Sequence, residues 1–202
     1  SFQIIGWNEF SQFVGDVATD KQRQIIGRAY ARVHREALEE LEMGGEIQVG
    51  TNNFESYIRN EAREVNYTGT NQDQAVNRAM SAIHGNDVLG DWMNKWEELL
   101  IDNQIVNIDV GGLGDSNRGL VISAISRMLR ILREEEQVPP FVLVIDEAHE
   151  FVPSSQSSQS TNVVRNLVKT ARHIEIGVIL LTQSPSELDS RTLRTCNTYI
   201  TL

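Results

Sequence analysis

Two adjacent acids end an apolar run in the stretch FVLVIDEAHEF, residues 141–151. The run from Phe141 to Ile145 has the composition of a buried strand, and Asp146 and Glu147 follow it directly. Because burying a charge is costly, acids at the end of a core strand indicate a binding or catalytic task. The first acid can hold a hydrated Mg²⁺, and its neighbour can orient and deprotonate a water.

Two further strand-like segments also end on polar residues. Asp109 lies near the end of residues 105–110, and Thr182 and Gln183 end the segment that begins at Gly177. Ligands of a parallel α/β sheet bind outside the carboxyl ends of its strands, where an amide can contact a γ-phosphate or position water. A single acid there is about as often a helix cap or a turn residue. Three polar strand ends in succession favour hydrolysis of a nucleoside triphosphate.

The elements that must position these residues alternate between strands and helices. The predicted strands are residues 105–110, 141–146, 177–182 and 197–202. Between them, we predict one helix capped by Ser116 and another that carries Val163 to Ala171. This order predicts an α/β fold with a parallel sheet covered on both faces by helices.

The first half of the chain has helical periodicity throughout. Apolar residues recur at helical spacing in residues 25–41, 54–62, 75–83 and 89–96, with Asn52 or Asn53 as the cap of the second helix. Short polar links separate these segments, which favours a small helical bundle. We therefore place a domain boundary between residues 104 and 105.

Composition limits the classes of function. The 202 residues carry a formal net charge of −10, which gives no general affinity for nucleic acid. No apolar run approaches the length of a membrane span. The single cysteine, Cys196, rules out an internal disulfide framework and favours the reducing cytoplasm, with the thiol as a packing residue.

Two longer strings resemble one family. The stretch RHIEIGVILLTQSPSELDSRTLRTCNT (172–198) and the stretch VNIDVGGLGD (106–115) are similar to the HerA branch of the HerA/FtsK superfamily. Its members are hexameric, RecA-like, DNA-translocating ATPases. The resemblance is strong over residues 105–202 and weaker over residues 1–104. The string DEAH also occurs in DEAH-box helicases, but their Ser-Ala-Thr motif is missing from this sequence.

The resemblance implies a fold and a set of catalytic roles. Residues 105–202 would be the C-terminal part of a RecA-like P-loop core, and residues 1–104 a helical insertion ahead of it. Asp146 matches the Walker B acid, which holds Mg²⁺ through water, and Glu147 matches the catalytic base. Gln183 matches the polar sensor on the neighbouring strand.

A basic position near the γ-phosphate is matched by Arg172. An arginine that faces a helix dipole explains Arg172 nearly as well. Ser184 departs from the family pattern, since many relatives carry arginine there, so no arginine role is carried over to that position. His149 and His173 could be metal ligands together with Glu150, but their spacing fits no zinc pattern.

The resemblance also implies partners. The intact protein would be a homo-hexamer that uses ATP and Mg²⁺ to move along double-stranded DNA, in DNA end processing and repair, with a nuclease of the NurA type. Asn117 and Arg118 are the candidates for DNA contact. Arg191 and Arg194 are spaced for one face of a short helix and are candidates for a subunit boundary.

The sequence lacks a phosphate-binding loop of the form G-x-x-x-x-G-K-[ST]. We expect the chain to be a fragment of a larger protein that carries the loop, or else a degenerate homologue without one. In either case the chain alone is expected to be inactive. Two alternative functions remain: a non-enzymatic module for oligomer or partner contacts, and a conjugative-type DNA pump of the same superfamily.

Overall fold

The computed structural model describes residues 2–15, 18–86, 88–90, 96–155 and 159–201. The chain divides into two compact units, Ser1–Asn94 and Lys95–Leu202. The described part of the first unit is helical, and that of the second combines helices with a two-stranded parallel sheet.

Helices account for most of the first unit. A 3₁₀ turn at Phe2–Ile4 is followed by α1 (Trp7–Val14), α2 (Asp20–Glu42), α3 (Thr51–Glu64) and α4 (Thr70–His84). The last three coincide with predicted helices, whereas α1 has no predicted counterpart. The fourth predicted helix is only partly testable, because residues 91–95 lie outside the described residues. Leu89 lies outside any helix, and Trp96 begins the short helix α5 (Trp96–Leu99).

An aromatic cluster forms the core of this unit. The rings of Phe2, Phe10, Tyr30 and Phe54 are fully buried, and the Phe10 and Tyr30 rings stack with centroids 4.4 Å apart. The Tyr30 hydroxyl lies 2.6 Å from the Phe2 carbonyl oxygen and 2.9 Å from that of Ile5. The cluster thus satisfies buried backbone acceptors of the first residues as well as burying apolar area.

The structure shows which residues cap the N-termini of α2 and α3. Helix α2 begins with a capping box, in which Gln22 N–H donates to Thr19 Oγ1 over 3.3 Å and Thr19 N–H donates to Gln22 Oε1 over 3.1 Å. Helix α3 begins after Gly50, whose N–H donates to Asn53 Oδ1 over 3.0 Å, so neither Asn52 nor Asn53 is the N-cap.

The second unit supplies the elements around the acids. They are α5, α6 (Asp115–Glu134), β1 (Phe141–Ile145), α7 (Ala148–Phe151), α8 (Gln159–Thr170), a 3₁₀ turn at Ala171–Ile174, β2 (Ile176–Leu180), a 3₁₀ turn at Pro185–Glu187 and α9 (Ser190–Thr195). Helix α6 begins after Gly114, so Ser116 lies in its first turn and is not its cap.

The sheet pairs β1 with β2 in parallel, in the register Phe141 to Ile176 through Ile145 to Leu180. Its inner face packs on α8 and the 3₁₀ turn that follows it, through buried Leu167 and Ala171. Its other face is exposed at Val142, Val144, Ile179 and Leu181. In the described residues, helical elements therefore cover one face of the sheet, whereas the sequence predicts helices on both faces.

Two predicted strands are absent from the described residues. Residues 105–110 and 197–201 form no regular secondary structure, and Ile105, Tyr199 and Ile200 are exposed. An apolar segment becomes a strand only where a neighbouring strand satisfies its N–H and C=O groups. Neither segment pairs with β1 or β2, so the prediction was wrong for both.

None of the helices in the described ranges combines the length and the apolar character that crossing a membrane requires.

Helix α9 is anchored through Asp189. Thr192 N–H and the Thr192 hydroxyl both donate to Asp189 Oδ2, over 2.8 and 2.9 Å, and Arg165 pairs with the same carboxylate at 3.0 Å. Burial opposes ionisation of this carboxyl, but the Thr192 hydrogen bonds and the Arg165 charge outweigh it and lower the pKa of Asp189.

Replacing Asp189 by Asn is expected to lower the free energy of unfolding by about 0.5–2 kcal/mol near neutral pH, because the ion pair with Arg165 is lost and the capping bonds, which an amide oxygen can still accept, are no longer charge-assisted. The folded-state pKa lies below the unfolded value, so the contribution is complete above the ordinary aspartate pKa of about 3.9 and disappears as the pH falls through the folded-state pKa. Urea unfolding at neutral and acidic pH measures both effects.

Asp115→Asn is the matched control, since the Asp115 side chain is 99% exposed and, among the described residues, forms an ion pair only with Arg118, at 3.7 Å. Its effect is expected to stay within about 0.5 kcal/mol. Equal effects of the two substitutions near neutral pH would contradict the anchoring role of Asp189.

Candidate functional site

The carboxyl ends of β1 and β2 are held together beyond the last strand residues. Leu181 N–H donates to the Ile145 carbonyl over 2.9 Å, and Ala148 N–H donates to the Leu181 carbonyl over 2.8 Å. These two bonds continue the parallel ladder past the register that ends at Leu180. The acids after β1 and the polar pair after β2 are therefore neighbours at one edge of the sheet, as predicted.

The backbone turns sharply at the second acid. Glu147 has φ 47° and ψ 45°, a left-handed conformation that is uncommon for a residue with a side chain. The Asp146 carboxylate accepts the Glu147 N–H over 2.9 Å, which supports the turn. Helix α7 begins at the next residue, and its Ala148 and Phe151 are buried in the core cluster behind the edge.

The Glu147 carboxylate lies among groups from both strand ends. Gln183 Nε2 donates to Glu147 Oε1 over 2.9 Å. The other oxygen, Oε2, is buried and accepts no hydrogen bond in the described residues. His149 Nδ1 lies 3.4 Å from that oxygen and 3.1 Å from Thr182 Oγ1. The structure thus brings together two predicted site residues, Glu147 and Gln183, with two that the sequence analysis did not assign to the site.

Asp146 is exposed at the same edge. Its one recorded hydrogen bond is the turn contact to Glu147, and no Lys or Arg of the described residues forms an ion pair with it. An exposed carboxylate without a protein cation, one residue from a buried acceptor oxygen, fits a Mg²⁺ ion held through water. The described residues contain no cluster of three His, Cys, Asp or Glu side chains able to hold a metal directly, which leaves His149, His173 and Glu150 without a joint metal role.

The predicted DNA-contact residues, Asn117 and Arg118, lie in the first turn of α6. Arg118 Nε donates to the Leu113 carbonyl over 2.8 Å, and its guanidinium pairs with Glu150 at 2.5 Å. The Arg118 charge is thus already compensated by an acid of α7. Asp109 accepts the Gly111 N–H over 2.8 Å as a turn residue.

Three other predicted site residues are exposed arginines. Arg172 is exposed in the 3₁₀ turn before β2, at the amino end of the sheet, so one copy of the chain does not bring it to the carboxyl edge. The five residues of β2 separate the two edges by about 16 Å. Arg191 and Arg194 are exposed on α9 and form no ion pair with a described residue.

Cys196, directly after α9, is partly buried and free. Burial raises the pKa of its thiol, which makes the thiolate scarce and the side chain a poor nucleophile. This agrees with its expected role as a packing residue.

The family model described as "ATPase family associated with various cellular activities (AAA)" matches residues 90–202. The match covers more than half of the chain and includes both strands and the polar residues at their carboxyl ends. A search of curated proteins finds no significant match.

The left-handed backbone at Glu147 leads to a stability prediction. Glu147→Gly is expected to be more stable than Glu147→Ala by about 0.5–1 kcal/mol. The left-handed conformation costs alanine about 1–2 kcal/mol, and the greater unfolded-state freedom of glycine offsets part of that. Chemical denaturation of the two variants measures the difference.

Glu150→Gly and Glu150→Ala form the control pair. Glu150 lies within helix α7, so alanine is expected to be the more stable residue there by about 0.5–1 kcal/mol. The same order of stability at both positions would mean that the backbone at Glu147 carries no strain.

Proposed function

The chain belongs to the ATPase family associated with various cellular activities (AAA), and on that premise we propose that it is part of an ATP-driven double-stranded DNA translocase of the HerA type. The family uses ATP, usually with Mg²⁺. The family match does not extend to the DNA substrate, the helicase activity or the hexamer. We propose these from the resemblance of residues 105–202 to HerA-type ATPases.

The hydrogen bond between Gln183 and Glu147 is the observation that carries the proposal. It joins an amide after β2 to an acid after β1, at the edge of a parallel sheet where ligands bind. An acid suited to act as a base and an amide suited to orient water are thereby placed within one hydrogen bond. A turn acid or a helix cap would need no partner on the neighbouring strand.

Each residue of the edge has a distinct task in hydrolysis. Asp146 would hold Mg²⁺ through water, and the ion would neutralise charge on the phosphates and align them. Glu147 would accept a proton from the attacking water. Gln183 would orient that water or contact the γ-phosphate, which requires its hydrogen bond to Glu147 to loosen once nucleotide is bound.

The arginines of the second unit support an assembly of several copies. Arg172 lies at the opposite edge of the sheet, and Arg191 and Arg194 project from α9 without ion-pair partners in the described residues. Phosphoryl transfer gains from an arginine that compensates the developing charge. In the proposed homo-hexamer, one of these side chains would reach the nucleotide site of a neighbouring copy.

DNA would run past the loop before α6 and contact the protein mainly through phosphates. Arg118 would make such a contact only by giving up its pair with Glu150. A net charge of −10 confines the attraction to local surfaces. The proposed cellular role is DNA end processing together with a nuclease of the NurA type.

Glu147→Gln in the full-length gene product is expected to lower ATP turnover by about 10²–10⁴-fold, since the general base is lost. Nucleotide binding is expected to persist, because the amide has the shape of the acid. Phosphate release, measured with and without duplex DNA, and binding of a fluorescent ATP analogue test both expectations.

Glu187→Gln is the control, since that exposed glutamate has no recorded side-chain partner in the described residues. Turnover near the wild-type level in Glu147→Gln would remove Glu147 from the base role. If duplex DNA does not stimulate ATP turnover by the wild-type protein at low salt, that result would argue against a translocase.

The 202-residue chain alone is expected to show no appreciable ATP turnover. Its sequence carries the acids but no G-x-x-x-x-G-K-[ST] loop to bind the phosphates. The measurement is phosphate release by the purified chain, with Glu147→Gln as the background. Turnover clearly above that background would show that the phosphates are bound by other means.

A further inference from the structure

One side chain at the site has no task in the hydrolysis scheme above. His149 lies two residues after Glu147 in the short helix α7, and its side chain is largely buried. Its Nδ1 atom lies 3.1 Å from Thr182 Oγ1 and 3.4 Å from Glu147 Oε2. The imidazole therefore stands between the strand end that carries Gln183 and the acid that Gln183 contacts.

The groups around His149 favour one of its two neutral tautomers. Thr182 Oγ1 accepts the Ser184 N–H over 3.0 Å and retains capacity for a further hydrogen bond. Glu147 Oε2 is buried without a donor, which is costly for an ionised carboxylate. A lone pair on Nδ1 would be repelled by that oxygen, whereas an Nδ1–H would be attracted by it and donate to Thr182.

We propose that His149, in its Nδ1–H tautomer and supported by Thr182, is a positioning residue that fixes the Glu147 carboxylate for catalysis. This inference rests on the proposed function for its catalytic consequence. The Nδ1–H faces Oε2 and draws that oxygen towards the sheet, which leaves Oε1 at the Gln183 side. The left-handed backbone and the imidazole together restrict the carboxylate to one orientation.

The first test is the tautomer of His149 in the 202-residue chain, read from two-bond ¹H–¹⁵N correlations at a pH at which histidines are neutral. His149→Asn identifies its signals among the four histidines. We expect the Nδ1–H form in the wild-type chain and the Nε2–H form, which free histidine prefers, in Glu147→Ala. An Nε2–H form in the wild-type chain would overturn the proposal.

The second test compares two amides at position 149 in the full-length gene product. The Asn amide nitrogen takes the place of Nδ1, and the Gln amide nitrogen that of Nε2. His149→Gln is expected to lower kcat for ATP by about 10–100-fold with little change in KM, since a displaced base affects the reaction more than binding. His149→Asn is expected to recover part of that loss.

Matched variants separate positioning from folding. Thr182→Val removes the hydroxyl and is expected to lower kcat, while Thr182→Ser keeps it and is expected to lower kcat less. His173→Gln alters an exposed histidine on the 3₁₀ turn before β2 and is expected to leave kcat unchanged. Equal kcat losses in the Asn and Gln variants at position 149, or a melting temperature that falls in step with kcat, would overturn the proposal.

The two tests distinguish this inference from the proposed function. If Glu147→Gln abolishes turnover but His149→Gln does not reduce it, the positioning role fails and the ATPase stands. If the full-length product shows no turnover, the proposed function fails. The tautomer then still decides whether His149 orients the carboxylate.

Discussion

The backbone bonds that extend the parallel pairing of β1 and β2 are the constraint on which the candidate site depends. Glu147 and Gln183 are 36 residues apart in sequence, and they meet because Leu181 and Ala148 continue the ladder beyond the strands. A register shift of one residue would turn every side chain of a strand to the opposite face. It would also separate the acid from the amide, so the packing that fixes the register fixes the chemistry as well.

Two features of the site are energetically unfavourable, and packing elsewhere in the fold must offset them. A left-handed non-glycine residue costs about 1–3 kcal/mol, and a buried carboxylate oxygen without a donor costs a comparable amount. The compensation lies directly behind the edge, where Ala148, Phe151 and Val152 are buried against Val164 of α8. On the solvent side, Arg118 ties Glu150 of α7 to the loop before α6. Such an arrangement is typical of a position kept for function and not for stability.

Local sequence patterns were sufficient to predict the two strands and the meeting of their carboxyl ends. The apolar runs at β1 and β2, and the pairing of their ends, follow from composition and from the rule that parallel strands meet at one edge. The strands expected at 105–110 and 197–202 failed because a strand requires a partner, which no local pattern reveals. Arg172 precedes β2 and therefore lies at its amino edge, and no local pattern shows how it could approach a nucleotide bound by a neighbouring copy. The sequence suggested His149 only as a metal ligand. Its position two residues after an acid, beside a turn, was the signal that could have indicated contact with Glu147.

The charge at the carboxyl edge limits which part of the proposed triphosphate site the described residues could supply. Asp146, Glu147 and Glu150 follow β1 closely, and the guanidinium that the described residues bring to this cluster, Arg118, is already paired with Glu150. A triphosphate would be repelled here unless a divalent cation and further donors compensate its charge. In the proposed hydrolysis, the edge would carry the groups that act on water, while Mg²⁺ and basic groups outside the cluster would neutralise the phosphates. Substitution of those basic groups should then change the affinity for nucleotide, whereas substitutions that alter the orientation of Glu147 should change the rate of hydrolysis.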